Sequence, residues 1–150
     1  MSRALYCWYS LNELEALGRR QARMHGIIDV ARLTRLCELL KSDNGSVRVT
    51  FNFSQQQASW VTVDFSYEGQ LDLVCQRCLD TVTEHISGHI VLAILEDDSM
   101  ERIVPAGCEP VVLSGKRFQP LESIEDELII SLPLVARHSQ IDKCVSLVGL

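Results

Sequence analysis

Hydrophobic and polar positions along this chain change period several times, and each change predicts an element. Ala4 to Tyr9 is short and aromatic-rich, and reads as an edge strand. Ser10 followed by Glu13 has the spacing of a capping box. Leu11, Leu14, Leu17 and Met24 then fall on one side of a helical wheel, with Arg19, Arg20 and Arg23 close to the opposite side. That pattern predicts a first helix ending at His25-Gly26, where glycine can take positive φ. Asp29 is a good cap for a second helix, whose apolar stripe is Val30, Leu33, Leu36, Cys37 and Leu40. Arg32 and Arg35 point away from that stripe, and Cys37 is expected in the core. Asp43-Asn44-Gly45-Ser46 is a turn.

From Ser46 the period drops to two. Val47, Val49, Phe51 and Phe53 alternate with Ser46, Arg48, Thr50 and Asn52. Ser54 to Ser59 reads as a polar hairpin loop. Trp60 to Tyr67 alternates again, Glu68-Gly69-Gln70 reads as a turn, and Leu71, Leu73 and Cys75 resume the pattern. These segments predict an antiparallel meander with one apolar face. Cys75-Gln76-Arg77-Cys78 makes a tight turn. Thr81 to Leu95 is long for a flat strand, and Gly88 inside it predicts a bulge or bend. Ile90 to Leu95 loses its alternation, which fits burial on both faces. Pro105, Gly107, Pro110, Gly115 and Pro120 predict irregular chain with a short strand at Pro110 to Leu113. Leu121 to Leu132 reads as a helix with an acidic start, ended by Pro133. The expected architecture is α+β. Two N-terminal helices pack on a curled, mainly antiparallel and partly barrel-like sheet, with a C-terminal helix.

Composition narrows the class without changing that picture. The 150 residues predict one domain, 1–150, with 47% hydrophobic and 23% charged residues. Nothing approaches the run of about 18 apolar residues that a membrane helix needs. The N-terminus shows no signal-peptide core, so a cytoplasmic location and reduced thiols are expected for the six cysteines. Net charge is −6 but uneven: residues 1–50 carry +3, 51–100 carry −7 and 101–150 carry −2. Such asymmetry lets one end of the chain meet a polyanion while the rest repels it.

Three chemistries compete for the Cys75-x-x-Cys78 turn. It has zinc-knuckle spacing, but one pair supplies half a site. His138 and Cys144 are the best second half, whereas His85 and His89 on one strand would lie about 13 Å apart. A redox pair is the second reading, although that chemistry belongs at a helix N-terminus and the flanks here are strands. The third is a plain hairpin carrying two thiols. No catalytic site is expected, because no Gly-x-Ser-x-Gly, His-Glu-x-x-His or phosphate-cradling loop occurs. Glu125-Asp126-Glu127 reads as the solvated opening of a helix. Arg19, Arg20, Arg23, Arg32 and Arg35 on two helical faces, with Arg77 at the turn tip, are candidates for gripping an RNA backbone.

Four stretches taken together resemble the YceD family, the large ribosomal RNA subunit accumulation proteins of bacteria and plastids. They are the early helix leading to Met24-His25-Gly26-Ile27; Leu73-Val74-Cys75-Gln76-Arg77-Cys78; Pro105-Ala106-Gly107-Cys108-Glu109-Pro110; and Ile124-Glu125-Asp126-Glu127-Leu128 running into Leu132-Pro133-Leu134-Val135, with His138 and Cys144 beyond. The resemblance implies a role in synthesis, processing or stability of 23S ribosomal RNA, with no enzymatic activity. The partner it implies is large-subunit ribosomal RNA, its precursor, or a ribosomal or assembly protein, without membrane or small-molecule substrate. Some members carry further C-terminal cysteines that complete what looks like a four-thiol zinc site. This chain has His138 and Cys144 there, so zinc on Cys75, Cys78, His138 and Cys144 is a conditional expectation. Many members also continue into a short tail past the position of Leu150, and contacts of that tail are not expected here. The rival functions are a zinc-stabilised protein–protein adaptor that never touches RNA, and a thiol oxidoreductase.

Overall fold

A computed structural model describes residues 2–55, 60–113, 115, 117–138 and 144. The Gln56–Ser59 part of the predicted polar loop and the polar segment 139–143 lie outside the described residues. A five-stranded sheet has the order β2-β3-β4-β5-β6, formed by Arg23–Asp29, Ser46–Ser54, Val61–Val74, Thr81–Leu95 and Cys108–Val112. The first four strands are antiparallel, and β6 lies parallel to β5. A two-residue strand β1 (Tyr9–Ser10) pairs with β7 (Arg117–Phe118) beside it. Helices α1 (Leu11–Arg19) and α3 (Pro120–Ser131) supply buried side chains to the main core, and the short helix α2 spans Thr34–Cys37. The fold is α+β, but the sheet is mixed and open rather than barrel-like.

The inward face follows sequence parity. Val47, Val49, Phe51 and Phe53 of β3 are buried, as are Val61, Val63, Phe65, Tyr67, Leu71 and Leu73 of β4. Phe51 and Phe65 stack with ring centroids 4.6 Å apart. The expected turn at Glu68-Gly69-Gln70 does not occur. Gly69 holds the inward place between Tyr67 and Leu71, and a Cβ there would lie 2.7 Å from the Ser46 carbonyl oxygen. The glycine therefore serves close strand approach, and β4 runs on unbroken. Nor does Gly88 make a bulge, because β4 and β5 keep one register from Val61↔Ile94 to Val74↔Thr81. Gly88 sits opposite Tyr67, whose ring occupies the space a side chain would need. Burial on both faces near the end of β5 is as expected, with Leu92, Ala93, Ile94 and Leu95 all buried.

The N-terminal third departs most from expectation. Ser2–Tyr6 is a 3-10 turn, and the strand is only Tyr9–Ser10. The Ser10–Glu13 capping box forms, at 3.2 and 3.1 Å. Helix α1 stops at Arg19, where Gln21 takes φ 51° and the Ala22 N–H reaches back to the Leu17 carbonyl at 2.9 Å. This is a Schellman ending built on glutamine instead of glycine. Met24 and Ile28 therefore belong to the inward face of β2, with Arg23, His25, Ile27 and Asp29 facing out. The second helix is likewise broken into a 3-10 turn (Val30–Arg32) and the four residues of α2. Its stripe Val30, Leu33, Leu36 repeats every three residues, which suits 3-10 geometry as well as α. Cys37 is half-buried against the core.

Glu125 corrects another expectation. It is buried, with its carboxylate accepting the backbone N–H groups of Arg35 (2.7 Å) and Leu36 (3.1 Å) and the Arg35 side chain (3.0 Å). α3 thus caps α2 across 90 residues of sequence.

Candidate metal centre and basic strip

The β4–β5 hairpin closes through Cys75–Asp80. The Leu79 N–H bonds to the Cys75 carbonyl and the Cys75 N–H to the Asp80 carbonyl, both at 2.8 Å. Leu79 takes φ 64° to allow this. After α3 the chain doubles back over the tip, where Gln76 N–H bonds to the Ala136 carbonyl at 2.8 Å. Arg77 donates to the His138 carbonyl, so its head turns toward this returning segment.

Four ligand-type side chains meet there. The sulfurs of Cys75, Cys78 and Cys144 and one imidazole nitrogen of His138 all lie within 4.8 Å of one another. Cys75 Sγ is 3.7 Å from Cys144 Sγ, and His138 Nδ1 is 3.6 Å from Cys78 Sγ and 3.3 Å from Cys144 Sγ. A tetrahedron with Zn–S near 2.3 Å and Zn–N near 2.0 Å has edges of roughly 3.5–3.8 Å, close to this spacing. Two further features fit a metal. His138 Nε2 lies 3.0 Å from the Thr81 carbonyl oxygen, so Nε2–H is the donor and the Nδ1 lone pair faces the sulfurs. At Cys75, burial opposes the thiolate, but the backbone N–H groups of Cys78, His138 and Arg77 and the Cys78 side chain outweigh it, bringing the thiol down to about 5. Cys144 is pushed the other way, to about 11, by burial and by its bonds and charge interactions with Cys78 and Cys75. The crowded sulfurs thus oppose one another's ionisation, with Cys75 drawn toward the thiolate and Cys144 held away from it. A divalent ion would let all of them ionise. The donor set and its spacing suit zinc, which all four residues could hold together.

Around the cluster lies a small apolar pocket of Leu73, Cys75, Val82, Ala136 and Cys144, flanked by Leu40, Cys78 and Leu132. The flanks of the turn are strands, as expected, and no helix N-terminus presents Cys75.

The arginine candidates are not gathered into one helical face. Arg19 and Arg20 end α1, exposed, and lead into Arg23 at the start of β2. Arg23 shares a shallow groove with His25, Arg48 and Thr50 on the bare outer face of β2–β3. Arg32 lies over the Tyr6 ring, 5.3 Å from its centroid. Arg35 is engaged by Glu125 (3.0 Å) and Asp126 (2.7 Å), which hold its guanidinium charge firmly, with Asp126 the stronger partner. His25 and Arg48 were not singled out from sequence. Their signal was the outward parity of β2 and β3, hidden while β2 was read as helix.

Residues 63–148 match the family described as Large ribosomal RNA subunit accumulation protein YceD. The chain belongs to this family. A YceD protein of Haemophilus influenzae, carrying the same description, is 26% identical over 109 residues, or 72% of this chain. The chain spans 63% of that relative's length. No solved structure matches. The family and this relative are both described by large-subunit ribosomal RNA accumulation. The matched region contains all four members of the Cys/His cluster. No helix among the described residues is long and apolar enough to cross a membrane.

Proposed function

We propose that this YceD-family protein supports accumulation of 23S ribosomal RNA by binding large-subunit precursor RNA directly, as a non-enzymatic assembly factor of the cytoplasm. The observation that carries this reading is the exposed strip formed by Arg19, Arg20, Arg23, His25 and Arg48. Its ion pairs among the described residues are weak competitors: Glu15 is 3.8 Å from Arg19 and Glu68 is 4.0 Å from Arg48, with both arginines and Glu68 largely solvated and Glu15 partly so. Such pairs yield readily to phosphates, which gain from counterion release on binding. Arg35 and Arg32 take a lesser part because both are already engaged. Zinc on Cys75, Cys78, His138 and Cys144 holds the returning C-terminal segment on the hairpin tip and performs no reaction.

The test is titration of large-subunit precursor RNA with the Arg19→Glu/Arg23→Glu protein at several salt concentrations. Binding is expected to weaken by about tenfold or more, with a shallower salt dependence, while the melting temperature stays nearly unchanged. Undiminished binding in moderate salt overturns the RNA reading. Metal analysis of untagged protein should find close to one equivalent of zinc. Less than about a tenth would exclude a resident site, since structural zinc survives purification.

A further inference from the structure

The groove between β6 and α3 is used by neither reading above. Ile90 and Leu92 of β5, Val111 of β6 and Ile129 of α3 make its floor, around a volume of about 430 Å³. Ile130 stands at the rim, 70% exposed, a large aliphatic side chain without cover. Around the floor are the carboxylates of Glu109, Asp126 and Glu127. The one cation among the lining residues, Arg35, is already engaged by Glu125 and Asp126. Glu127 is raised above the usual carboxylate range, by burial first and then by the charge of Glu109, and its 3.5 Å bond from the Tyr67 hydroxyl offsets this only in part. The groove thus joins bare aliphatic surface to the charges of Glu109 and Glu127, which no cation among the described residues pairs. A smaller depression of about 130 Å³ continues it past Val111 and Ser123 toward Glu122, Arg117 and Val112, the last 39% exposed, so the negative charge is confined to the main groove and to Glu122.

The occupant's chemistry follows from sign and shape. RNA is repelled by the carboxylates. Addition of a strand to the β6 edge is also poorly supported. The Leu113 N–H bonds to the Leu95 carbonyl at 2.9 Å, so Val111 and Glu109 turn their N–H groups to β5, leaving Cys108, Pro110 and Val112 facing outward. Proline has no N–H to offer, and that of Cys108 is taken by the Pro105 carbonyl at 3.1 Å. With the Val112 N–H the one donor left on this edge among the described residues, a partner enters mainly through side chains. We propose that this groove docks a segment of another protein that carries both Lys or Arg and aliphatic side chains, with the aliphatic groups against Ile90, Val111 and Ile129 and the cations on Glu109 and Glu127. The site lies on the helix-covered side of the sheet, away from the arginine strip, so one molecule can hold RNA and a basic protein segment together.

The experiment uses the 150-residue chain and three labelled short peptides: one alternating Leu and Lys, one alternating Ser and Lys, and one alternating Leu and Glu. The Leu/Lys peptide is expected to bind at least about tenfold more tightly than either control, and the Glu109→Gln/Ile130→Ser protein to lose about tenfold of that affinity. Both substituted side chains are solvent-facing, so circular dichroism and melting temperature should match the parent. Equal binding of the Ser/Lys peptide or equal binding to the substituted protein would each overturn the proposal.

Discussion

Two apolar clusters lie along the β4–β5 hairpin, and they are held by different means. The larger one joins Phe51, Phe53 and Phe65 to Leu14, Ile28, Leu36, Ile124 and Leu128, drawing on every layer of the fold. Burying side chains of that size contributes roughly 1.5–3 kcal/mol each, so this cluster persists on hydrophobic burial alone. The smaller, at the hairpin tip, has two cysteines and an alanine among its five buried residues. It offers little area to bury, and the segment it must retain, Leu132 to His138, carries Leu134 and Val135 in the open. What distinguishes the two is how they can be secured. One region rests on many weak contacts, while the other brings three thiols and an imidazole to a single point, where a metal would add a few strong bonds.

The largest effect should come from breaking the first region. Phe65→Ala removes the ring stacked on Phe51 and tilted against Tyr67, and should cost about 3–5 kcal/mol in urea unfolding with loss of signal from the whole sheet. Cys144→Ser, or a strong chelator, should instead act locally. Zinc content falls, and limited proteolysis beyond α3 speeds up at least about tenfold, while amide exchange in β3 and β4 stays slow. A uniform rise in exchange throughout the sheet would show that the two regions form one cooperative unit. The smallest effect is Leu79→Gly. This exposed residue holds φ 64°, and removing its side chain relieves on the order of 1 kcal/mol of strain, partly offset by glycine's freedom in the unfolded chain. Slower zinc loss to chelator with an unmoved melting temperature would place that gain in the tip alone.

The same contrast explains what could be read from the chain beforehand. Strand positions such as Val47, Phe51 and Phe65 announce themselves by parity, because each contacts a sheet face whose period is local. The elements around α2 were misread for a related reason. Val30, Leu33 and Leu36 are spaced by three, a pattern that an α-helix and a 3-10 turn share, and Gln21 ends α1 without the glycine that usually marks a stop. Gly69 and Gly88 looked like punctuation, but their role is set by Ser46 and Tyr67 on neighbouring strands, which no local window contains. At the tip, the four ligands could be named individually. Their meeting depends on how the chain returns after α3, and the partnership of His138 with the Thr81 carbonyl has no sequence pattern at all. Glu125 is the clearest case, an acid in a charged run whose partners lie 90 residues earlier.

The distance along the chain between Cys75 and Cys144, 69 residues, sets an order of events during synthesis. Strands β2 to β5 pair with sequence neighbours and can assemble while the rest is still being translated. α3 must follow before Arg35 and Leu36 find their acceptor. The Cys75–Cys78 pair therefore waits with only half of its donors until the last ligand emerges. A metal captured early would meet only two thiolates and remain exchangeable, and it would be locked only once His138 and Cys144 had emerged, so metal retention would report that translation has passed Cys144.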